Sequence, residues 1–353
     1  MQTVTLGKTG IVVPKNGFGS LPIQRIHSMN EVVHLLHKAL DNGMYYFDTA
    51  RDYTDSEAKL GEAFHDRRDK VIISTKTSAE TVEKFWTDLE TSLRTLRTDH
   101  IDIYQFHNPE FCPLPGERHG LYEAMQEAIK QGKVLHVGIS NHRLAVAHAA
   151  IDSGCYETVQ FPFSYLASED DLGVVQAARE HHMGYIAMKG LAGGLINHSA
   201  TAYAFMNQPQ FSHVVPIWGI QRESELDEWL SYMDNPPTLT DEMRERIEKD
   251  KKMLSGEFCR GCGYCMPCSV GITISECNRM YLFLRRAPYS TYLTQEYYDE
   301  MQKIKNCINC GKCKAKCPYG LDIPNLLKRN YDDFMEHWAR REELNPEAFK
   351  KEK

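Results

Sequence analysis

The sequence predicts an α/β protein in which a (β/α)8 barrel is followed by a small, mostly helical domain. Short apolar segments recur through the first two-thirds of the 353 residues, as strands of a parallel sheet require. Between them lie helical stretches with apolar residues at three- and four-residue spacing. A break in composition predicts the second domain, because nine of the 11 cysteines lie between Cys259 and Cys317.

Eight candidate strands follow one another in the barrel region. They cover residues 16–21, 45–50, 71–76, 101–107, 135–140, 158–163, 185–190 and 213–218. The clearest helices cover 30–41, 79–97, 121–131 and 170–181, and residues 4–13 remain as a hairpin under the barrel floor. An open doubly wound sheet would need Gly-x-Gly-x-x-Gly early in the chain. The segment 17–22 lacks the third glycine and places Pro22 in the turn.

The domain organisation follows from these composition changes. Residues 1–235 are predicted to form the barrel and 236–256 a helical connector that begins at Pro236 and Pro237. The cysteine-rich domain is expected at 257–335, and residues 336–353 form a charged C-terminal tail.

Charge and hydropathy exclude several classes of function. There are 41 basic and 48 acidic side chains, a net charge of -7, which argues against nucleic-acid binding and a polybasic membrane anchor. No apolar run approaches the roughly 18 residues of a membrane span, and residues 1–10 lack a signal pattern. We therefore expect a cytoplasmic protein with small-molecule partners, whose cysteines are not disulfide-bonded.

Four titratable residues stand at or just after adjacent predicted strand ends, where barrels carry their chemistry. Asp48 ends the second strand with Tyr53 shortly after it, Lys76 ends the third, and His107 ends the fourth. A tyrosine can donate a proton near neutral pH only if nearby positive charge eases its ionisation. Lys76 would supply that charge, Asp48 would orient Lys76, and His107 would orient a carbonyl oxygen.

The motifs FDTARDY at 47–53, STK at 74–76 and FH at 106–107 resemble those of the aldo-keto reductase family. The resemblance covers the barrel and implies a TIM barrel in which Asp48, Tyr53, Lys76 and His107 are the catalytic tetrad. It further implies a nicotinamide cofactor, NADH or NADPH. The implied clamp for its carboxamide includes GISN at 138–141, and the implied pyrophosphate loop is GLAGG at 190–194. The predicted cofactor contacts are Ser140, Asn141, Gln160, Met188, Lys189, Gly190, Ala192, Gly193, Gly194, Gln221 and Arg222.

Two departures from the family pattern leave the cofactor open. After the last strand only Arg222 is cationic, and Glu223 and Glu225 would repel a 2'-phosphate unless they turn away, so NADH is as acceptable as NADPH. Met188 and Lys189 stand where an aromatic residue is expected. Lys189 could instead attract a reduced flavin, which we keep as a further alternative.

The second domain carries an iron-sulfur pattern. The segment 307–318 reads CINCGKCKAKCP, the C-x2-C-x2-C-x3-C-P run of bacterial two-cluster ferredoxins. Residues 259–268 nearly repeat it. The resemblance to ferredoxin-type domains implies two 4Fe-4S clusters with exchanged fourth ligands. Cluster 1 would use Cys259, Cys262, Cys265 and Cys317, and cluster 2 would use Cys307, Cys310, Cys313 and Cys268.

Alternatives remain for these cysteines. The shortened spacing makes Cys277 a substitute for Cys268, although a buried thiol is the ordinary interpretation of Cys277. Structural zinc also uses C-x2-C pairs, and a disulfide scaffold would conflict with the expected compartment.

Together these features predict an oxidoreductase that reduces a carbonyl or conjugated small molecule, or catalyses the reverse reaction. The two clusters would transfer single electrons to or from an external carrier such as ferredoxin or flavodoxin. Two alternatives stay open. The barrel could use NAD(P)H alone with structural or redox-sensing clusters, or it could bind cofactor without catalysis and report the redox state to a partner.

Overall fold

The computed structural model describes residues 2–253, 258–286 and 288–349. They form two compact units, one made of Met1–Gly190 and Ala200–Arg244 and the other of Leu191–Ser199 and Glu245–Lys353. None of the helices in the described ranges combines the length and apolar character that crossing a bilayer requires.

The first unit contains the predicted closed barrel. Eight parallel strands pair in the order β10-β3-β4-β5-β6-β7-β8-β9, and β1 and β2 form a separate antiparallel hairpin. The predicted strand positions are confirmed to within about two residues at each end. The strands are β1 (Thr3–Thr5), β2 (Val12–Pro14), β3 (Gly17–Gly19), β4 (Tyr46–Asp48), β5 (Ile72–Thr77), β6 (Ile101–His107), β7 (Val134–Ser140), β8 (Thr158–Pro162), β9 (Gly184–Met188) and β10 (Val214–Gly219).

The hairpin closes the floor of the barrel, as predicted from the residues left over before the first barrel strand. Val4 and Val13 are buried in one apolar cluster with Tyr46, Ile103 and Ile186 from the barrel strands. Removing this apolar surface from water stabilises the closed end. The opposite ends of the strands are thereby left for the site.

Helices connect the strands and cover the barrel. In α3 the Thr81 hydroxyl accepts a hydrogen bond from the Lys84 N–H at the start, and Phe85 and Leu89 lie on its buried face. The helices of this unit and the connector are α1 (Met29–Asp41), α2 (Ser56–Phe64), α3 (Val82–Leu96), α4 (Leu121–Lys130), α5 (Leu144–Ser153), α6 (Glu169–Glu180), α7 (Ser199–Met206), α8 (Glu223–Asp234) and α9 (Asp241–Met253).

Gly61 allows α2 to approach α3 closely, which gives a stability prediction. A Cβ at Gly61 would collide with the Thr95 carbonyl oxygen and the Leu96 backbone. Because backbone atoms cannot move aside, we expect Gly61→Ala to cost about 2 kcal/mol, a fall of about 4–8 °C in the barrel melting temperature. Gly173→Ala in α6 is the matched control, since a Cβ there meets nothing within 4 Å. It should be neutral or stabilising by up to about 1 kcal/mol, and equal melting temperatures for the two variants would contradict the packing argument.

The cysteine-rich unit is mostly helical, as predicted. Its longest helix, α15, buries a stripe that includes Leu326, Leu327 and Phe334, and α10, α11, α13 and α14 pack against α15. The helices are α10 (Ile274–Cys277), α11 (Met280–Arg286), α12 (Tyr289–Tyr292), α13 (Gln295–Gln302), α14 (Lys312–Lys316), α15 (Ile323–Ala339), α16 (Arg341–Leu344) and α17 (Pro346–Phe349).

The structure differs from the predicted domain limits in two places. Helix α15 runs through the expected boundary at 335, because Phe334 and Trp338 continue one buried face. The segment expected to be a charged tail therefore begins inside a packed helix and carries two further short helices. Residues 191–199 group with the cysteine-rich unit, although the prediction placed them in the barrel. The connector contains helix α9, and its residues 254–256 lie outside the described residues.

Candidate active site and candidate cluster sites

The barrel register brings three of the four predicted catalytic residues to one edge. Asp48 pairs in register with Ser74, two residues before Lys76 on β5, and Lys76 pairs with Gln105, two residues before His107 on β6. Because the strands are parallel, their carboxyl ends meet at the same rim. Tyr53 follows β4 in the loop before α2.

Lys76 and Asp48 form a buried ion pair. The Lys76 Nζ lies 2.6 Å from Asp48 Oδ1 and donates a second hydrogen bond of 2.6 Å to the Thr49 carbonyl oxygen. The Ser74 hydroxyl donates to the other Asp48 oxygen at 2.5 Å. Burial lowers the pKa of Lys76, and the Asp48 charge opposes that fall. A buried amine of this kind can ease the loss of a proton from a neighbouring acid more effectively than a solvated lysine can.

Tyr53 lies between the ion pair and the histidine. The Lys76 Nζ is 5.5 Å from the centroid of the Tyr53 ring. The His107 ring centre is 5.8 Å from that of Tyr53, with the two rings nearly perpendicular at 81°. The four side chains therefore surround one small region at the barrel mouth.

Asp52 is a member of this group that the sequence analysis missed. Its carboxylate lies 3.3 Å from His107 Nδ1, and that contact lowers the pKa of Asp52. Burial lowers the pKa of His107, while the hydrogen bond and charge of Asp52 oppose the fall. The only signal in the sequence was that Asp52 directly precedes Tyr53.

The Asp52 contact predicts the titration of a single variant. Asp52→Asn removes a negative charge that favours the protonated imidazole, so the pKa of His107 should fall further below its ordinary value. NMR titration of the histidine ring protons checks this. His213, whose pKa is also lowered by burial while its hydrogen bond to the Val175 carbonyl oxygen opposes the fall, should titrate as in the wild type. A His107 pKa that stays constant or rises in Asp52→Asn would contradict the pairing.

Two glutamine side chains form a hydrogen-bonded chain to Asp48, the acidic partner of the Lys76–Asp48 ion pair. The Gln105 amide nitrogen donates to Gln160 Oε1 at 2.8 Å, and the Gln160 amide nitrogen lies 3.3 Å from Asp48 Oδ1. All three side chains are buried. Gln105 was not predicted, and Gln160 was predicted to hold a nicotinamide. In this structure both polar ends of the Gln160 side chain contact the protein, and its contact with a nicotinamide stays a prediction.

The side chain of Asn141, another predicted nicotinamide contact, makes three hydrogen bonds within the protein. Its Oδ1 accepts hydrogen bonds from the N–H groups of His142 and Arg143, and its amide donates to the Pro109 carbonyl oxygen at 2.9 Å. An asparagine side chain often makes such a turn just before a helix. Asn141 therefore fixes the chain between Ser140, the last residue of β7, and helix α5. Ser140 is buried at the rim.

The residues after β9 have unusual backbone geometry. Met188 packs into the apolar cluster of the barrel interior, so it does not stand in for the absent aromatic residue. Lys189 has a φ of 60°, a left-handed conformation that costs free energy for a non-glycine residue. A Cβ on Gly190 would lie 2.5 Å from the Trp218 ring, which explains the glycine.

The predicted phosphate loop is held within the cysteine-rich unit. Ala192, Gly193 and Gly194 have φ values of 49°, 68° and 94°. The Arg279 guanidinium donates a hydrogen bond to the Gly193 carbonyl oxygen. The glycines supply the left-handed turns at positions 193 and 194, and Arg279 fixes the turn.

The two acidic residues after β10 have partners within the protein, and those of Glu225 are two of the predicted cofactor contacts, Gln221 and Arg222. Glu225 accepts hydrogen bonds from the N–H groups of Gln221 and Arg222, and Glu223 pairs with Lys38 at 2.6 Å. The expected repulsion of a 2'-phosphate by these carboxylates is therefore offset within the protein. Arg25, which the sequence analysis did not predict, lies 3.4 Å from the Gln221 side-chain oxygen.

The four cysteines predicted for cluster 2 line one cavity, and Cys265, predicted for cluster 1, also lines it. It has a volume of about 300 Å³, and its wall includes the predicted four, Cys268, Cys307, Cys310 and Cys313. Apolar side chains such as Ile272 complete the wall. A set of four thiols around a partly apolar cavity is chemically suited to a 4Fe-4S cubane.

Three of the four cysteines predicted for cluster 1, Cys259, Cys262 and Cys265, lie close together, and the fourth, Cys317, directly follows helix α14. Burial, together with the nearby sulfurs of Cys259 and Cys262, raises the pKa of Cys265 to about 12. The Gly261 N–H donates to Cys259 Sγ at 3.4 Å, the kind of bond that tunes cluster sulfurs. The Arg260 guanidinium lies 4.4 Å from the centre of the Tyr319 ring, which brings the segment of Cys317 to this run. The donor set thus fits a second cubane.

Cys277 does not face the cavity. It is buried, its sulfur lies 3.6 Å from the Thr273 hydroxyl, and burial raises its pKa to about 11. Its sulfur contacts Thr273 and is not part of the cavity wall. The position of Cys268 in the cavity wall favours it as the fourth ligand of cluster 2.

The arrangement of the cysteines differs from that of a single-ion site. In the described part of the chain, no three Cys, His, Asp or Glu side chains converge as ligands of one ion. Structural zinc would need four ligands around one centre. Thiolates of a cubane each bind a different iron, so they surround a volume instead.

Comparisons with known proteins match both the barrel region and the cysteine-rich region of the chain. The Aldo/keto reductase family model matches residues 16–212, and a 4Fe-4S dicluster domain matches residues 258–322. The uncharacterized oxidoreductase YrpG of Bacillus subtilis is 29% identical over 229 residues, 57% of this chain and 69% of its own. The methylglyoxal reductase DkgB of Salmonella typhi is 32% identical over 149 residues, 40% of this chain and 52% of its own.

The barrel also superposes on solved structures. An aldo-keto reductase from Klebsiella pneumoniae in complex with NADPH aligns with a TM-score of 0.59 and 22% identity, covering 70% of this chain and 94% of that one. This likeness confirms the barrel fold. Because the first family model spans more than half of the chain, the protein belongs to the aldo/keto reductase family of oxidoreductases and carries a C-terminal 4Fe-4S dicluster domain.

Proposed function

We propose that the barrel reduces a small carbonyl compound with a nicotinamide cofactor, and that Tyr53 is the general acid. The observation that carries this proposal is the position of Tyr53 between the Lys76 amine and the His107 ring. A nicotinamide, when bound, supplies hydride. The protein's part is to protonate and orient the carbonyl oxygen.

Each side chain has a separate task in this proposal. Tyr53 donates its phenolic proton to the carbonyl oxygen as negative charge develops there. Lys76 stabilises the resulting phenolate, and Asp48 keeps the amine in place through their 2.6 Å contact. His107 orients the carbonyl oxygen from the other side. Asp52 and the two glutamines act through these groups and are positioning residues.

We propose NADPH as the preferred nucleotide, with NADH as the alternative. Arg222 and Arg25 flank Gln221. Glu223 pairs with Lys38, and Glu225 accepts hydrogen bonds from the Gln221 and Arg222 N–H groups and lies 3.5 Å from the Arg222 guanidinium. Two guanidinium groups suit a phosphate ester. The NADPH complex of the Klebsiella relative supports the same choice. Nothing observed favours a flavin, and Lys189 gives it no further support.

We propose that the clusters transfer single electrons with an external carrier rather than serve only as structural elements. Cys307 and Cys310 are exposed, so the cavity that they line faces the solvent, where a carrier could approach. Such a role is compatible with the cytoplasmic location expected from the sequence. The cysteines of cluster 1, of which Cys259 and Cys265 are buried, would form the inner site.

Anaerobically purified protein tests the barrel proposal. We expect oxidation of NADPH when small aldehydes, ketones or dicarbonyls are added, with methylglyoxal as the first probe because a relative reduces it. NADH should serve less well. The same assay on protein from which iron has been removed by chelation separates the barrel reaction from the clusters. A complete absence of turnover across the carbonyl panel, with nucleotide binding intact, would contradict the proposal.

A further inference from the structure

The two candidate cluster sites differ sharply in exposure. Cys259 and Cys265 of cluster 1 are buried, whereas Cys307 and Cys310 of cluster 2 are exposed. Ile308, between the exposed pair, has 66% of its surface accessible, the largest fraction among the exposed large hydrophobic residues in the described part of the chain. An isolated exposed aliphatic residue is unremarkable in itself. Here it stands on the wall of the cavity that five cysteines line.

The surface around Ile308 is strongly basic. From Lys303 to Leu321 the sequence has five lysines and no acidic residue. Lys312 and Lys316 line the cavity and are exposed, and neither forms an ion pair with any described residue. Lys305 is also exposed and lies over the Tyr331 ring. An apolar centre with a polar, charged rim is the usual anatomy of a protein interface.

We propose that this face docks a small, acidic one-electron carrier protein. We call it the cluster 2 face and define it by Lys305, Ile308, Lys312 and Lys316. Its use rests on the proposed electron-transfer role of the clusters. In this step the reduced centre of the carrier loses one electron and cluster 2 gains that electron. No bond forms or breaks, and no proton moves.

The charge distribution of the chain indicates that the protein docked on the cluster 2 face is acidic. The chain as a whole has a net charge of -7, so an acidic protein is repelled by most of its surface and attracted by this face. Such complementarity speeds encounter and selects the docking orientation. Electron-transfer complexes are small and short-lived, which matches a face of four residues. If the lysines served only to offset cluster charge, their removal would change the cluster potential and leave carrier association unaffected.

The double variant Lys312→Gln/Lys316→Gln tests the proposal, with Lys70→Gln/Lys130→Gln as matched control. Both control lysines are exposed on the barrel unit. Anaerobic stopped-flow mixing with a reduced, acidic plant-type 2Fe-2S ferredoxin gives the bimolecular rate of cluster reduction. We expect about a tenfold lower rate for the cluster 2 variant at low salt, converging with wild type at high salt because screening removes the attraction. The control should match wild type at every salt concentration.

Three further measurements make the outcome specific. Iron content should be unchanged, dithionite should reduce both variants like wild type, and the cluster 2 potential, measured in each variant, should shift by too little to account for the tenfold lower rate. Calorimetric binding of oxidised ferredoxin, which requires no electron transfer, should weaken only in the cluster 2 variant. If Lys312→Gln/Lys316→Gln loses iron, Ile308→Glu replaces it as the test. A carboxylate at the centre of the cluster 2 face should repel the acidic ferredoxin and slow cluster reduction by a similar factor. Wild-type rates in these variants at low salt would overturn the docking proposal, whereas wild-type protein that binds no iron would overturn the proposed clusters themselves.

Discussion

Tyr53→Phe is expected to lower kcat for carbonyl reduction by about 10²–10⁴-fold, the usual contribution of a positioned proton donor. The aromatic ring beside Lys76 and His107 remains, so the fold and the affinity for NADPH should stay near those of the wild type. Steady-state kinetics, together with nucleotide titration by fluorescence, measures both quantities.

A second tyrosine provides the control for this experiment. Tyr45→Phe also removes one hydroxyl, which lies 3.3 Å from the Val12 carbonyl oxygen at the hairpin. Its kcat should stay within about twofold of wild type, since surface changes away from a site are usually small in effect. Carbonyl turnover by Tyr53→Phe at the level of Tyr45→Phe would show that another group donates the proton.

Cys268→Ser is expected to remove cluster 2 and leave cluster 1, halving the iron and sulfide per chain. Its sulfur lines the cavity together with Cys307, Cys310 and Cys313, and a serine hydroxyl is a much poorer iron ligand than a thiolate. Iron and sulfide analysis of anaerobically purified protein, with electron paramagnetic resonance of the reduced form, gives the cluster count. Cys313→Ser should give the same loss.

Cys277→Ser distinguishes the two assignments left open by the cysteine spacing. Because Cys277 is buried away from the cavity and contacts Thr273, this variant should keep both clusters. Full iron content in Cys268→Ser combined with half in Cys277→Ser would reverse the assignment.

The fold was predictable because its signals are local. Eight apolar segments at regular intervals and the helical periodicity between them placed each strand to within about two residues of its position. The tetrad was predictable for a related reason, since the carboxyl ends of barrel strands share one rim whatever the loops do. The cysteine spacing likewise predicted four of the five cysteines that line the cavity as one group.

What the sequence did not reveal depends on contacts between distant residues. Gln105 is an ordinary strand residue until β8 brings Gln160 within 2.8 Å of it. Met188 was assigned to the cofactor because of its position, but the barrel interior buries its side chain. Arg279 holds Gly193 across 86 positions of the chain, and no periodicity encodes that bond. The hydrogen bonds of Asn141 to the next two residues, by contrast, could have been predicted from the sequence, because an asparagine just before a helix often forms such a local turn.

The origin of the hydrogen added to the carbonyl carbon tests the central claim most directly. NADPH deuterated at the reactive ring carbon is mixed anaerobically with protein and methylglyoxal, and the product is analysed by mass spectrometry. The account predicts one deuterium on the carbinol carbon, in wild type and in Cys268→Ser alike, because hydride moves within the barrel. A product that carries only solvent hydrogen would contradict it, since the electrons would then have reached the substrate by another route.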